Sequence, residues 1–576
     1  MSAPSAVDET TREGGRISLA ERASRHPVAA GALSGLALWA SFAPLEWSWL
    51  AWVALVPLFH LAVESGPRLR LYLGAWAGGL VFWGASLQWV RLTDATAWVA
   101  WLAMALIFSV WWPLFLALAR LSVFRLRLPL MLAAPILWVG LEHLRIFPLS
   151  GFPWYYLGHS QYRWIPLIQI ADVTGALGVS FLIAMVNACV VDLLSLPLLY
   201  ATPEGTKLRP RQALRLWIVG LTLGSTLLYG VYRVSTARFR EGPRLALAQT
   251  NFEQRYKQDP RWFDTAFDRL RALQLRALDH EPKPDLIVWP ETSYPFGYIA
   301  VDPSLSTAAL QDQIKRGVDE EISVNWWLEK QRDTDVVLHG MTDSGGVSML
   351  IGSIYHDHAA SGHEKYNSAI LFEPGVRTTR AYHKIHLVPF GEYIPFVETM
   401  PWLMFFTPYR DGYVPALNSG RETNLLPLGD HRLAVAICFE DTVPHLTRRF
   451  FRDAPAGQGP DVLIDMSNDG WFHGSAELDM HLAVSVFRCV ENRAPLARSV
   501  NTGISALIDG NGRILKTLPR LTEGVLQTAV PLDDREGWYT MLGDWLGLSC
   551  LAVCIGLPIV GVVDKRRSAA RARRAA

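Results

Sequence analysis

LAVAICFEDTVP, residues 433–444, runs apolar from Leu433 to Ile437 and then presents Cys438, Phe439, Glu440 and Asp441. A short apolar run of this kind predicts a buried strand. A cysteine at its end is either a core filler or a thiol held rigidly at the mouth of a cleft. The neighbouring sequence has the same texture. RLALAQT (244–250), DLIVWPE (285–291), DVVLHG (335–340), SMLIGSIYH (348–356), NSAILFEP (367–374), DVLIDMSN (461–468) and ISALIDG (504–510) read as strands, and NGRILKTL (511–518) as the arm of a hairpin. DPRWFDTAFDRLRALQLRALDH (259–280) reads as an amphipathic helix between the first two. Strands interleaved with helices predict an α/β or α+β sandwich over about residues 236–540.

Outside that region the chain changes character. Of 576 residues 50% are hydrophobic and 19% charged, the latter below the about 25% of ordinary soluble domains. The excess hydrophobicity lies mostly in the first 235 residues. Apolar stretches of bilayer-spanning length read at 27–44, 47–64, 71–90, 97–120, 128–146, 176–199 and 213–232, with an eighth at 541–563. The first is read as a span and not as a signal peptide, because spans continue after it. Basic residues fall on alternate loops: Arg12, Arg16, Arg22 and Arg25; Arg68 and Arg70; Arg120, Arg125 and Arg127; Lys207, Arg209, Arg211 and Arg215; and Lys565, Arg566, Arg567, Arg571, Arg573 and Arg574. The positive-inside rule makes that face cytoplasmic. The expected organisation is a cytoplasmic tail (1–26), a seven-helix membrane domain (27–235), an outward-facing domain (236–540), a last span (541–563) and a basic cytoplasmic tail (564–576), the termini disordered. A net charge of +1 and the lack of a basic stripe with interleaved aromatics argue against nucleic acid. The outer region holds only Cys438 and Cys489, too few for a disulfide framework, although a single Cys438–Cys489 pair stays open.

Three apolar runs in this region end in reactive groups. WPET carries Glu291, YHKIHLVPFGEYIPF (382–396) carries Lys384 and Glu392, and AICFED carries Cys438. A thiol needs a nearby base to act as nucleophile at neutral pH, a buried glutamate can supply it, and a lysine can stabilise the oxyanion formed at a carbonyl. Taken singly, each has a bland reading as a core cysteine, a turn glutamate or a surface lysine. Together, with SNDGWF (467–472) and NTGIS (501–505), they resemble the Glu-Lys-Cys enzymes of the nitrilase (carbon–nitrogen hydrolase) superfamily. With seven preceding spans and one following, the chain is similar over nearly its whole length to the apolipoprotein N-acyltransferase family within it.

The resemblance implies an αββα sandwich and a ping-pong transfer without a cofactor or metal. An acyl chain would pass from a phospholipid to Cys438, and then to the α-amino group of a diacylglyceryl-cysteine on an apolipoprotein. It implies Glu291 as base, Lys384 as oxyanion stabiliser, and Glu392, Glu440 and Phe439 in support, in a monomer embedded in the bacterial inner membrane. Phe439 stands where the family often has tyrosine, and Gln258 where a tryptophan usually follows the lysine corresponding to Lys257. His356, His358 and His363 lack an acid or cysteine that would complete a metal site, and read as a solvated hairpin. PWLMFFTPYRDGYVP (401–415), with Trp402, Phe405 and Phe406, and the aromatic outer loop FPWYYLGHSQYRW (152–164), of interfacial type, read either as a core loop and a simple interfacial anchor or as the borders of the route by which acyl chains reach Cys438. The rival readings are a membrane-tethered amidase using the same residues on a small amide, and a membrane sensor or transporter with an amide-binding domain. Eight spans exceed what tethering needs, and an intact reactive set exceeds what binding needs.

Overall fold

The computed structural model describes residues 26–148, 151–257, 259–318, 321–406 and 416–575. Each apolar segment is helical: α1 (Pro27–Ala40), α2 (Ser48–Val63), α3 (Arg68–Ser86), α4 (Ala97–Arg125), α5 (Leu130–Leu144), α6 (Ala176–Ser195) and α7 (Pro210–Ser235). Among the described residues α4, α6, α7 and the C-terminal helix, over Trp545–Ala570, are long and apolar enough to cross a membrane. The others are shorter, or, in α3, opened by two arginines and interrupted by glycines. Those glycines have a packing role. A side chain on Gly31 or Gly35 of α1 would overlap the carbonyl of Gly74 or Gly78 of α3, so the two backbones meet directly, the small-residue contact that apolar helices use in lipid. A hairpin of β1 (Leu199–Thr202) and β2 (Gly205–Leu208) joins α6 to α7.

The region that follows folds around two sheets. The first runs β15 (Gly524–Asp533), β3 (Phe239–Gln249), β4 (Leu286–Val288), β6 (Ser348–Ala359), β7 (Gly362–Phe372), β8 (Arg380–His383), with β5 (Tyr294–Val301) also on β6. The second runs β14 (Ile514–Thr517), β13 (Ala506–Ile508), β12 (Leu496–Val500), β11 (Val462–Ser467), β10 (His431–Ile437), β9 (Leu426–Leu428). Each has a parallel centre, β3–β4–β6 and β10–β11–β12, flanked by antiparallel strands. Central parallel strands are buried on both faces, which is why LALA, LIV and LAVAI read as unbroken apolar runs. Leu245, Leu247, Leu286, Val288 and Leu350 of the first sheet share one core with Leu433, Val435, Ile464 and Met466 of the second. The Ser499 hydroxyl on β12 donates to the carbonyls of Ala248 (2.8 Å) and Val288 (3.0 Å), tying the sheets together.

On its outer face the first sheet buries Ile287, Met349, Ile351 and Phe372 under α8 (Phe263–Leu278) and α10 (Val324–Gly345), which follows the short α9 (Thr307–Gly317). α11 (Pro444–Arg452) and α12 (Glu477–Asn492) cover the second sheet. The layers are therefore helix, sheet, sheet, helix. α12 is buried along its whole length because its far side meets the membrane region: Trp154 lies on His481 (ring centroids 5.6 Å) and His159 on Phe487 (5.2 Å).

Three expectations are corrected. DVVLHG is not a strand but lies inside α10, where the buried Trp327, Thr334, Leu338, Thr342 and Gly345 follow a helical period. The last helix, α13, spans Trp545–Ala575, so it starts after 541 and carries the basic tail as a continuation of the helix, where disorder was expected. The HDHAASGH segment is a hairpin, β6 to β7, but not a solvated one. His358 is buried, receiving a hydrogen bond from Trp327 (3.0 Å) and pairing with Gln313 (3.1 Å), while His356 bonds His363 (3.1 Å).

Candidate active site

Glu291, Lys384 and Cys438 each follow the last residues of a strand (β4, β8 and β10), and the two-sheet packing brings those strand ends together. The turn carrying Glu291 lies directly on β6, where a Cβ on Gly352 would overlap the carbonyl of Pro290 and come within 2.8 Å of the Glu291 Cα. Only glycine permits that approach. Lys384 is buried, and its Nζ donates to Glu291 Oε1 at 3.3 Å and to Glu392 Oε1 at 3.0 Å. Asn367 on β7 donates to the same pair of carboxylates, at 2.8 Å to Glu291 and 2.9 Å to Glu392. Glu392 Oε2 also accepts from the Val388 N–H at 2.8 Å, which closes the PFGEY loop back on the strand end. Burial alone would lower the Lys384 ammonium, but the charges of Glu392 and Glu291 outweigh it and hold the group well above the ordinary lysine range.

Cys438 sits at the turn from β10 into a short 3-10 segment, with φ +55°. A non-glycine residue in the left-handed region costs energy that the surroundings must supply. They do so largely through Glu440. This buried carboxylate accepts from the Ile437 N–H (2.8 Å) on the cysteine side, and from the Ile385 (2.7 Å) and His386 (3.0 Å) N–H groups and the Tyr382 hydroxyl (2.9 Å) on the lysine side. Glu440 thus clamps the Cys438 turn to the Lys384 turn. Burial pushes its carboxyl up to about 7, against the backbone donors that favour its charged form. Phe439 stacks on the His386 ring (5.5 Å), a contact that needs no hydroxyl. Burial, and then the charge of Glu291, raise the Cys438 thiol well above the ordinary range, while Lys384 and the Ser467 hydroxyl act in the other direction. Cys438 and Cys489 are both free, and Cys489 is buried in α12.

Behind the thiol lies a buried polar network whose joint arrangement was not foreseen, although SNDGWF carries part of it. Ser467 donates to Asp469 (2.6 Å), and His481 bridges Asp469 (3.2 Å) and Asp441 (2.8 Å). Asp441, Asp465, Asp469, Glu477 and His481 form two clusters of the metal-ligand type. Arg498 stands among them, 3.3 Å from Asp441, 3.4 Å from Asp465 and 3.8 Å from Asp469, and supplies the cation itself. Asn367, Tyr382 and Ser467 act through cross-strand partners that no local pattern announces.

Of the candidates for lipid access, Trp402 lies on a 3-10 turn, Pro401–Phe406, and is 55% exposed. The side chains of Phe405 and Phe406, residues 407–415 and Gln258 lie outside the described residues. In the 152–164 loop, read as an interfacial anchor or a border of the acyl route, Trp154, Tyr155 and Tyr156 are buried. Trp89 links Trp154 (5.5 Å) to Phe472 of SNDGWF (5.0 Å), so membrane-region aromatics reach the loop beside the thiol.

Residues 34–189 match the apolipoprotein N-acyltransferase N-terminal domain, and residues 244–540 match carbon-nitrogen hydrolase. The apolipoprotein N-acyltransferase of Geobacter metallireducens is 31% identical over 542 residues, covering 93% of this chain and 94% of its own. That of Chlorobaculum tepidum is 31% identical over 552 residues, covering 93% and 96%. Among solved structures, a CN-hydrolase superfamily protein from Xanthomonas campestris aligns with 50% of this chain and 91% of its own, at 18% identity and a TM-score of 0.33. The chain belongs to the apolipoprotein N-acyltransferase family.

Proposed function

We propose that this chain moves an acyl chain from a phospholipid to the N-terminal amine of a diacylglyceryl-modified apolipoprotein, with Cys438 as the nucleophile. The observation that carries this reading is the meeting of Glu291, Lys384 and Glu392 within hydrogen-bond reach, beside a thiol on which the charges of Glu291 and Lys384 act. Glu291 takes the thiol proton as sulfur attacks the ester carbonyl. Lys384 stabilises the oxyanion; the ester C–O bond breaks, and Glu291 returns the proton to the departing lysophospholipid alkoxide. The thioester is then attacked by the amine, whose proton passes through Glu291 as the C–S bond breaks and the thiol is restored.

The eight helical segments are proposed to span the inner membrane, with both termini cytoplasmic and the 236–540 domain outside. The basic loops support that orientation, because they alternate with loops poor in Lys and Arg. The Trp89–Trp154–Phe472 cluster supports an approach for the acyl chain from the bilayer side. The protein is proposed to act as a monomer.

Purified enzyme given phospholipid without acceptor should accumulate one hydroxylamine-labile acyl chain per protein, seen by mass spectrometry of the intact protein. The adduct should be absent from Cys438→Ala and present in Cys489→Ala. It should discharge onto a diacylated lipopeptide with a free amine and persist when that amine is acetylated. Acyl transfer undiminished in Cys438→Ala would defeat the reading, and release of free fatty acid or ammonia without transfer would favour an amidase.

A further inference from the structure

The loop between β3 and α8, residues 250–257, is fastened by the two motifs that the proposed chemistry leaves unused. From NTGIS, Asn501 accepts from Thr250 Oγ1 (2.5 Å) and the Phe252 N–H (2.8 Å), its amide donates to the Phe252 carbonyl (2.8 Å), and its own carbonyl receives the Asn251 N–H (2.7 Å). From SNDGWF, Asn468 accepts from Asn501 (2.9 Å) and donates to Gln254 (2.7 Å). The loop is thus held by five hydrogen bonds to a pair of asparagines that are themselves bonded to each other, so its position is fixed by packing and not left free.

What it delivers is Lys257. The side chain points inward, half-buried, and its Nζ donates to the main-chain carbonyl of Glu291 at 2.8 Å. The next residue, Thr292, has φ +43°, so the turn that aims Glu291 is itself strained and needs support. Lys384 is enclosed by two carboxylates, whereas the contact Lys257 makes here is to a neutral carbonyl. The charges of Glu291 and Cys438 both act on its ammonium.

Resting on the proposed role of Cys438, we infer that Lys257 is a positioning residue of the active site: it holds the Glu291 turn, and its positive charge favours the Cys438 thiolate. The charged groups acting on that thiol are then Glu291 from the turn after β4, Lys384 from the turn after β8, Asp469 from the turn after β11, and Lys257. Glu291 and Asp469 oppose ionisation, while the two lysines favour it. Burial pushes the Lys257 ammonium down to about 8, against the pull of Glu291 and Cys438, so it carries its charge at neutral pH.

The test reads the thiol directly. Full-length protein in detergent is alkylated with iodoacetamide across a pH series, and the Cys438 peptide is quantified by mass spectrometry; the thiolate is the reacting form. In Lys257→Met the profile should move to higher pH, with labelling about tenfold slower at a fixed pH below the thiol's midpoint, the change that one pKa unit brings. Lys257→Arg should stay within about threefold of wild type at neutral pH and label faster than wild type above about pH 8, where lysine loses its charge and arginine keeps it. The arginine variant decides the matter should Lys257→Met fail to fold. Superimposable profiles at a reactive Cys438 would overturn this inference alone. A Cys438 that stays unlabelled at every pH while another thiol reacts would overturn the nucleophile assignment and this inference with it.

Discussion

Lys384 shows why a charged side chain can be buried at an active site without being wasted. Two carboxylates and a strand-borne asparagine surround it, so its ammonium stays charged and its position is fixed before substrate arrives. Preorganised charge of this kind is worth about a hundredfold or more in rate when removed. Lys384→Met should accordingly lower acyl transfer by at least about a hundredfold in protein whose melting transition shows it to be folded. Glu392→Gln should cost less, because Glu291 and Asn367 remain. Near-normal turnover in the methionine variant would remove Lys384 from the chemistry. Glu291, Lys384, Glu392, Glu440 and Cys438 stood out as candidates because each stands at the end of an apolar run or inside a distinctive string. Asn367 did not: it reads as one polar residue at the head of NSAILFEP, lies within β7, and its meaning lies in carboxylates supplied by other segments.

At the scale of elements, the site depends on how closely the β4 turn lies against β6. Gly352→Ala would place a methyl group 2.2 Å from the Pro290 carbonyl oxygen and 2.8 Å from the Glu291 Cα, and the turn would have to move by about an ångström. Misplacement of that order at a catalytic group costs about tenfold to a hundredfold in rate. The expected result is a folded protein with kcat reduced at least about tenfold and the Cys438 labelling profile altered. Unchanged kcat would show that the turn tolerates the shift. Strand identity was readable where β-branched runs were continuous, as in DLIV and DVLI. It failed for DVVLHG, where two adjacent valines suggested a strand. Ser323 caps a helix there by accepting from the Trp326 N–H, Leu338 packs under the first sheet, and Val336 faces outward, 73% exposed. Long-range packing outweighed local propensity.

At the scale of the whole molecule, the two halves are joined by buried polar contacts as well as by aromatic ones. Asp172, in a short helical turn preceding α6, accepts from Arg493 at 2.5 Å and from Tyr229 at 2.7 Å, and forms an ion pair with Arg233 of α7 at 2.9 Å. Asp172→Ala would leave two arginines short of their shared partner, one of them fully buried, a change that costs about 3–5 kcal/mol in buried pairs. The expected outcome is a marked fall in the melting temperature in detergent, with loss of transfer activity as the halves separate. An unaltered melting temperature would show that the ion pair carries no such weight. Orientation gives a second prediction at this scale. A reporter active only outside the cytoplasm should be active when fused near residue 460, and activity there from a cytoplasm-only reporter would invert the topology.

The sequence by itself determined what short windows and loop charges encode: the apolar segments, the alternation of basic loops, the buried strands and the candidate reactive residue at the end of each of three runs. Those features follow from local periodicity and composition, and they need no partner to be read. Only the tertiary structure decided how they meet. Glu291 and Lys384 lie 93 positions apart yet share a hydrogen bond, and Asn501 anchors a loop about 250 positions upstream. Whether an apolar helix is long enough to span by itself, whether Trp154 lies at an interface or in a core, and whether a lysine such as Lys257 faces solvent or a catalytic turn all depend on which surfaces pack. Packing is a property of pairs of segments, and a single stretch of chain carries half of each pair.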